Sequence, residues 1–437
     1  MNNDNTATYS PPEWYFEGKI VEPAFCKYFL ETYHYIAVGR TFYSTDGRVE
    51  DESTLRSLIC DEIACYVTRN LADRVDALLE AIRVYCYLPS LPLHTDRIHL
   101  ANGTYYLDPP MMTQNRDFCH YRLPALWYGV TEKPETWLRF LDELLEPEDI
   151  LTLQEYIGYL LVPCTKAQKM LIILGRGGEG KSRIGVVLRA LLGNAMVNGS
   201  ISKLETNRFA PADLENRLVM VDDDLKLEAL PQTNVLKTII TADTPLDLER
   251  KGKQSHQGIL YARIIGFGNG ALHALYDQTD AFYRRQIILK AKERPADRVD
   301  DPYLGEKLCR ERDGILKWAV EGLIRLRSND YRFTVSKAAR ENLEESRRQN
   351  CNILDFMEST GYVQFRPTAS AATRDLYAAY QAWCRDNAAE AMGVQNFSTY
   401  LSANQARWGI QKAKHITIHG KKDCRGFIGI ESEYVYI

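Results

Sequence analysis

Apolar residues recur at helical spacing in two early stretches, Leu55 to Tyr66 and Ala72 to Tyr87. From Arg97 to Leu107 the pattern shortens around Asn102-Gly103, which predicts two strands and a tight turn. Thr136 to Leu144 and Leu151 to Leu161 read as amphipathic helices. Lys169 to Leu174 (KMLIIL) is a nearly continuous apolar run, the habit of a strand buried on both faces of a parallel sheet. Three further runs follow, Leu218 to Val221, Ala262 to Phe267 and Gln286 to Leu289, with helical stretches between them. This block is expected to be α/β with a largely parallel sheet. Beyond Arg294 the pattern is helical through LGEKLCRERDGILKWAVEGLIRL and a charged stretch from Ala338 to Gln349. The last part begins near Asn352. It carries helices over Ala371 to Asp386 and Gln395 to Asn404, then strands over Lys412 to Ile418 and Gly426 to Ile430, joined by HGKKDC as a turn.

Length agrees with this division, since 437 residues at about 150 per domain make roughly three. The expected units are a mixed α+β N-terminal domain over 1–131, an α/β domain over 132–350 and a small C-terminal domain over 351–437. Lys and Arg number 54 against 58 Asp and Glu, a net charge of −4, so bulk charge cannot hold DNA as it does in a histone. Any nucleic-acid contact must come from local basic patches. The polar start, MNNDNTATYSPPEW, has no secretory pattern, and no apolar stretch approaches the roughly 18 residues of a membrane span, so a membrane partner is not expected. The 10 cysteines lie singly, which suggests reduced thiols rather than a disulfide framework or a zinc site.

The apolar run at Leu174 leads into GRGGEGKS, residues 175–182, and then into the helical RIGVVLRALLG. Gly175, Gly177, Gly178, Glu179, Gly180, Lys181 and Ser182, with Arg183 after them, fit a phosphate-binding loop. Glycines let successive backbone N–H groups face one anion, and the following helix adds its N-terminal dipole. Lys181 would reach the β- and γ-phosphates of ATP, and the Ser182 hydroxyl would ligate Mg²⁺. The apolar run from Leu218 ends in Asp222, Asp223 and Asp224. Asp222 would hold the metal through water and Asp223 would activate the attacking water, or the register slips and Asp224 takes the second role. Asn269, between Gly268 and Gly270, is either a polar sensor of the γ-phosphate or simply part of a good turn. Arg284 and Arg285 precede the last apolar run, and one of them would stabilise transition-state charge in a neighbouring subunit. Arg250, Lys251, Lys253 and His256 cluster near the tip of an expected hairpin, as a grip on DNA phosphates or as ordinary surface cations.

These pieces, in this order, resemble a superfamily 3 helicase of the AAA+ class. More narrowly they resemble the phage and plasmid primase-helicases, relatives of the poxvirus primase-helicase. LQEYIGYLLVPCTKAQKMLIILGRGGEGKS is similar to that family's entry into its motor domain, and DGILKWAVEGLIRL to the helical segment after its arginine motif. RIHLANGTYYLD is similar to its pre-motor domain, and LYAAYQAWCRD with NFSTYL to its C-terminal winged helix. The resemblance implies an AAA+ P-loop core followed by a winged-helix domain. It also implies a ring, usually a hexamer, that hydrolyses ATP between subunits and unwinds DNA during replication of a phage, plasmid or other mobile element in a bacterial cytoplasm. On this resemblance Lys181 and Ser182 match Walker A, Asp222 and Asp223 match Walker B, Asn269 matches the sensor, and Arg284 or Arg285 the arginine finger. Lys251, Lys253 and His256 fall at the DNA-binding hairpin.

The chain departs from the family at Glu179, where many relatives carry Asn. It also lacks the carboxylate and histidine constellation of a primase before Glu132, so primer synthesis is not expected of it, and the sequence leaves open whether a separate primase or accessory replication protein is a partner. From Leu401 onward six basic residues, among them Lys412, Lys414, Lys421 and Lys422, face three acidic ones, a local balance suited to duplex DNA. Gln395, Asn396, Ser398 and Thr399 could face a groove. His415 and His419 read as packing or surface residues rather than metal ligands. Two rival functions remain at this level. One is an ATP-switched initiator or loader that binds and melts origin DNA without processive unwinding, and the other is a P-loop ATPase acting on protein or in DNA packaging.

Overall fold

A computed structural model of the chain describes residues 11–129, 132–225, 230, 232–270, 272, 280–295, 297, 299–350, 352–389, 391–418 and 421–433. It is a mixed α/β protein with several sheets, the largest of five strands. The strand order in that sheet is Met196–Asn198, Val219–Leu225, Arg263–Gly268, Met170–Leu174, Gln286–Lys290, and every pairing is parallel. Successive side chains of a strand point to opposite faces. Leu171 and Ile173 therefore join one core with Val219, Val221, Ile265, Phe267, Ile287 and Leu289. Met170, Ile172 and Leu174 join another with Met220, Ile264 and Ile288. Both faces are covered, which is why these runs are continuous rather than alternating.

One face is covered by helix Ser182–Leu192 together with two others, Pro147–Tyr159 and Arg312–Ser328. The latter two cross closely because each places a glycine at the contact. A Cβ on Gly158 would meet the Ala319 carbonyl and the Leu323 N–H, and one on Gly322 would meet the Gln154 carbonyl. Beside this crossing, Glu155 is almost fully buried and its carboxylate is satisfied three times. Arg325 Nε donates at 2.6 Å, the Thr334 N–H at 2.6 Å and the Thr334 hydroxyl at 2.8 Å. Two further bonds fasten the sheet to this layer. Tyr156 Oη donates to the Ile264 carbonyl at 2.8 Å, and buried Arg263 donates to the carbonyls of Leu160 and Tyr261, each at 2.8 Å.

The N-terminal part holds helices Glu22–Tyr33, Ser53–Ile63 and Leu71–Tyr85 around Trp14, Phe25 and Phe29. The expected strands around Asn102-Gly103 are present as Arg97–Leu100 and Gly103–Leu107. Their Ile98, Leu100, Tyr105 and Leu107 share a core with Trp137 and Leu171, so this hairpin packs into the layer that covers the parallel sheet. The C-terminal part places helices Asn352–Glu358, Thr373–Asp386 and Val394–Ala403 against a three-stranded antiparallel sheet, around Phe356, Tyr380 and Phe397. In that sheet Lys421–Ser432 lies between Val363–Ala372 and Gln411–Ile418. The strand Val363–Ala372 has no clear signature in the sequence. Its middle is exposed, it contains Pro367, and its pairing is interrupted between Phe365 and Ser370. The expected turn at HGKKDC is shorter than it reads, because the strand already begins at Lys421. His419 lies outside the described residues.

The helix crossing gives a direct test. Gly158→Ala should lower unfolding stability by about 1–3 kcal/mol through overpacking, read as a lower urea midpoint. Gly129→Ala, where an added Cβ meets nothing within 4 Å, should leave the midpoint unchanged. Equal midpoints for both variants would contradict the close crossing.

Candidate active site

The central strand Met170–Leu174 ends at a loop, and helix Ser182–Leu192 follows it. Within the loop Gly177, Gly178 and Gly180 have φ of +113°, +81° and +102°, a region open to glycine at no steric cost. Gly175 donates its N–H to the Gly268 carbonyl at 3.0 Å, which fastens the loop to the neighbouring strand. A Cβ on Gly175 would sit 2.7 Å from Lys181 Nζ, so the lysine reaches across a place that only glycine leaves open. Lys181 is buried, and its ammonium donates to Glu179 Oε2 at 2.7 Å. Glu179 Oε1 accepts the Gly177 N–H at 2.8 Å. Burial alone would push the Glu179 carboxyl up. The bonds from Lys181 and the loop N–H groups outweigh it and hold the carboxyl below its ordinary value.

This loop forms one wall of a cleft of about 1140 Å³. Of the site residues expected from sequence, the cleft brings together Gly178, Glu179, Gly180, Lys181, Ser182, Arg183, Asp223 and Asn269. Gly175 lines a smaller cleft behind the loop, which Glu179 and Asn269 also border. Asp222 goes elsewhere. It is buried, its Oδ2 accepts the Ile201 N–H at 2.7 Å, and burial raises its carboxyl above the usual carboxylate range. The pairing with Arg263–Gly268 slips between Asp222 and Leu225, and the carboxylates exposed at the cleft are those of Asp223 and Asp224. The cleft also holds two residues that the sequence reading missed, Arg294 and Asp300, paired at 3.1 Å. Their only sequence signal is a charged stretch after the last apolar run.

Arg284 and Arg285 lie at the other end of the sheet. The Arg285 carbonyl accepts the Met170 N–H at 2.8 Å, at the start of the central strand. The two strands run five residues in parallel before the loop is reached, which is about 16 Å at ~3.3 Å per residue. Arg285 is half-buried and its guanidinium donates to the Ala281 carbonyl of its own turn. Arg284 is exposed.

The expected hairpin is present as Leu246–Arg250 and Lys253–Gly258, paired antiparallel. Lys251 and Lys253 stand exposed at its tip. His256 and Arg250, on the two strands of the hairpin, are both tied to Glu215 of another segment: His256 Nε2 lies 2.7 Å from Glu215 Oε1, and Arg250 Nη2 donates to Glu215 Oε2 at 2.9 Å. In the C-terminal part Lys412, Lys414 and Arg425 are exposed on adjacent strands, as are Gln395, Asn396 and Thr399 on their helix, while Ser398 is half-buried. The side chains of Lys421 and Lys422 lie outside the described part. Among the described residues no group of three or more His, Cys, Asp or Glu is placed to hold a metal ion, and no helix is long and apolar enough to cross a membrane.

A family of unknown function (DUF5906) matches residues 173–285, the segment from the end of the central strand to Arg285. No curated protein matches the chain. Among solved structures, three apo structures of the NrS-1 C-terminal region resemble it, with TM-scores of 0.52, 0.56 and 0.54 at 14%, 12% and 14% identity. The likeness covers 93% to 94% of this chain and 98% to 100% of that region. At this identity it establishes a shared fold along nearly the whole chain.

Proposed function

We propose that this chain is an ATP-dependent DNA motor of the superfamily 3 (AAA+) type that translocates on DNA and unwinds it in replication of a phage, plasmid or other mobile element. The observation that carries the reading is the cleft itself. At one edge of a parallel sheet it gathers a glycine loop, the Lys181 ammonium, the Ser182 hydroxyl, two carboxylates and Asn269. A nucleoside triphosphate would seat its phosphates on the loop N–H groups and Lys181. Ser182, Asp223 and Asp224 are hard oxygen donors on one cleft, a set that fits magnesium. Bound there, the ion would neutralise charge on the β- and γ-phosphates. The carboxylate of Asp223 or Asp224 not engaged by the ion would accept a proton from the attacking water. Asn269 would orient that water or a γ-phosphate oxygen by hydrogen bonding. Asp222, turned to the Ile201 N–H, would brace the strand end.

The arginine of this motor would come from a second subunit. Neither Arg284 nor Arg285 can reach its own loop across the length of the sheet, whereas the exposed Arg284 is available to a neighbour's cleft. Arg284 is therefore the better finger, and the assembly would be a ring, a hexamer by resemblance. Lys251 and Lys253 would grip DNA phosphates, with Glu215 anchoring the two hairpin strands through Arg250 and His256. The C-terminal domain would be the winged helix. Its exposed Lys412, Lys414 and Arg425 also favour the second reading, an ATP-switched origin binder. Footprinting separates the two, since an initiator protects one sequence and a helicase none.

Lys181→Ala should lower ATP hydrolysis ~10²-fold or more with an unchanged circular dichroism spectrum. Normal turnover by that variant would overturn the site. Arg284→Ala should cost ~10³-fold, and mixing it with Lys181→Ala should recover part of the activity, because some interfaces then pair an intact loop with an intact arginine. No recovery on mixing would argue against a shared site. Lys251→Ala with Lys253→Ala should weaken single-strand binding and flatten the slope of log affinity against log salt by about 1.4, for two phosphates at ~0.7 each. An unaltered slope would remove the hairpin from the DNA path.

A further inference from the structure

We propose that Glu179 is an internal stand-in for a phosphate oxygen, and that it sets an affinity threshold which a ligand bearing a diphosphate passes and one bearing a single phosphate does not. This rests on the nucleotide-binding reading of the cleft. Glu179 is 3% exposed, and both of its carboxylate oxygens are engaged by groups that a phosphate would use. Oε2 takes the Lys181 ammonium at 2.7 Å and Oε1 takes the Gly177 N–H at 2.8 Å. An ammonium and a loop N–H converging on one carboxylate reproduce the recognition of an anion, with the anion supplied by the loop itself. The pair stands within the motif, two residues apart, so no movement of another element is needed to form it.

A ligand must therefore displace the carboxylate to reach Lys181. A tethered carboxylate competes at the high effective concentration of an intramolecular partner. A single phosphate offers little more than an exchange of one anion for another. A diphosphate or triphosphate engages further loop N–H groups and the helix N-terminus at the same time, and so outcompetes the carboxylate. The displaced side chain has a place to turn. Glu179 borders both the main cleft and the smaller cleft of about 390 Å³ behind the loop, where Arg176 and Lys290 lie. Glu179 thus sets the affinity threshold of the cleft, acting through Lys181.

The test compares the unaltered chain with Glu179→Gln, which keeps the size and the acceptor for Gly177 but removes the charge. Binding of MgADP, pyrophosphate and inorganic phosphate would be measured by calorimetry, with thermal unfolding as a check on the fold. Glu179→Gln should bind all three more tightly, pyrophosphate and MgADP by roughly tenfold. Phosphate should gain by a similar factor, because all three ligands displace the same carboxylate, whereas a purely structural role of Glu179 predicts a loss of binding rather than a gain. Glu179→Asn, with a shorter neutral side chain, should behave the same way and serves if the first variant does not fold. Unchanged or weaker binding by the folded variants would overturn the proposal. If Lys181→Ala binds MgADP as well as the unaltered chain, the nucleotide site itself falls and takes the role of Glu179 with it. If Lys181→Ala loses binding while Glu179→Gln gains none, the role of Glu179 alone falls.

Discussion

A strand hydrogen-bonded on both sides and covered on both faces can carry a polar side chain only where that side chain finds a hydrogen-bond partner. Met170–Leu174 is such a strand: all five residues are buried, and its neighbours are Arg263–Gly268 and Gln286–Lys290. Whatever chemistry the sheet supports is therefore pushed to its two ends. At one end the chain must leave the strand through a sharp turn, and glycines at positive φ supply it. That turn lies beside Asn269 and near the exposed tip of the acidic strand, because parallel pairing brings the same ends of all the strands together. At the other end the exits are different in kind. Arg263 is buried there and spent on two backbone carbonyls, while Arg284 stands at the surface.

Charge around the cleft follows a second rule. A cation brought into a poorly solvated place needs an anion near it, and this molecule repeatedly supplies a carboxylate from its own chain. Glu179 answers Lys181, Asp300 answers Arg294, and Glu215 answers Arg250. These pairs differ in solvent exposure, so they differ in worth. The Glu179 pair is almost completely buried, with side chains 4% and 9% exposed, and it is screened little. The Arg294–Asp300 pair has one side chain 69% exposed and contributes little to stability. A buried pair sets a threshold that an incoming anion must exceed.

Much of this was legible in the sequence, and the limits are physical. The runs that became the parallel sheet were readable because burial on both faces leaves a continuous apolar signature. The loop was readable because its glycines, lysine and serine act within eight consecutive residues. Motif order puts Asp222 and Asp223 forward, but it says nothing about the slip in pairing between Asp222 and Leu225, where Asp223 and Asp224 come to line the cleft. His256 was read as a free cation of the hairpin, but its partner Glu215 is 41 residues away and no local pattern announces it. Arg294 and Asp300 meet through a loop whose shape the sequence does not encode in any short-range rule. The strand Val363–Ala372 was missed for the opposite reason, since its exposed, proline-containing middle imitates a loop while its ends pair normally.

The separation of the sheet's two ends bears on why a motor of the proposed kind would work only as an assembly. A nucleotide on the glycine loop would have Lys181, Ser182 and the two carboxylates from its own chain, all at one end of the strands. Transition-state charge on a transferred phosphoryl group is best met by a guanidinium from the open side of the cleft. The chain's Arg284 lies at the far end, displaced by the whole length of a strand it cannot bend around. Arg285, the alternative, is already bound to the turn that holds it. The same geometry that forbids self-completion lets one copy offer its arginine end to the loop end of the next. A contact between unlike ends is head-to-tail, and head-to-tail contacts close into rings when the rotation between copies permits. Hydrolysis would then be coupled to the interface between copies, and the hairpin tips carrying Lys251 and Lys253 would report it to whatever passes through the ring.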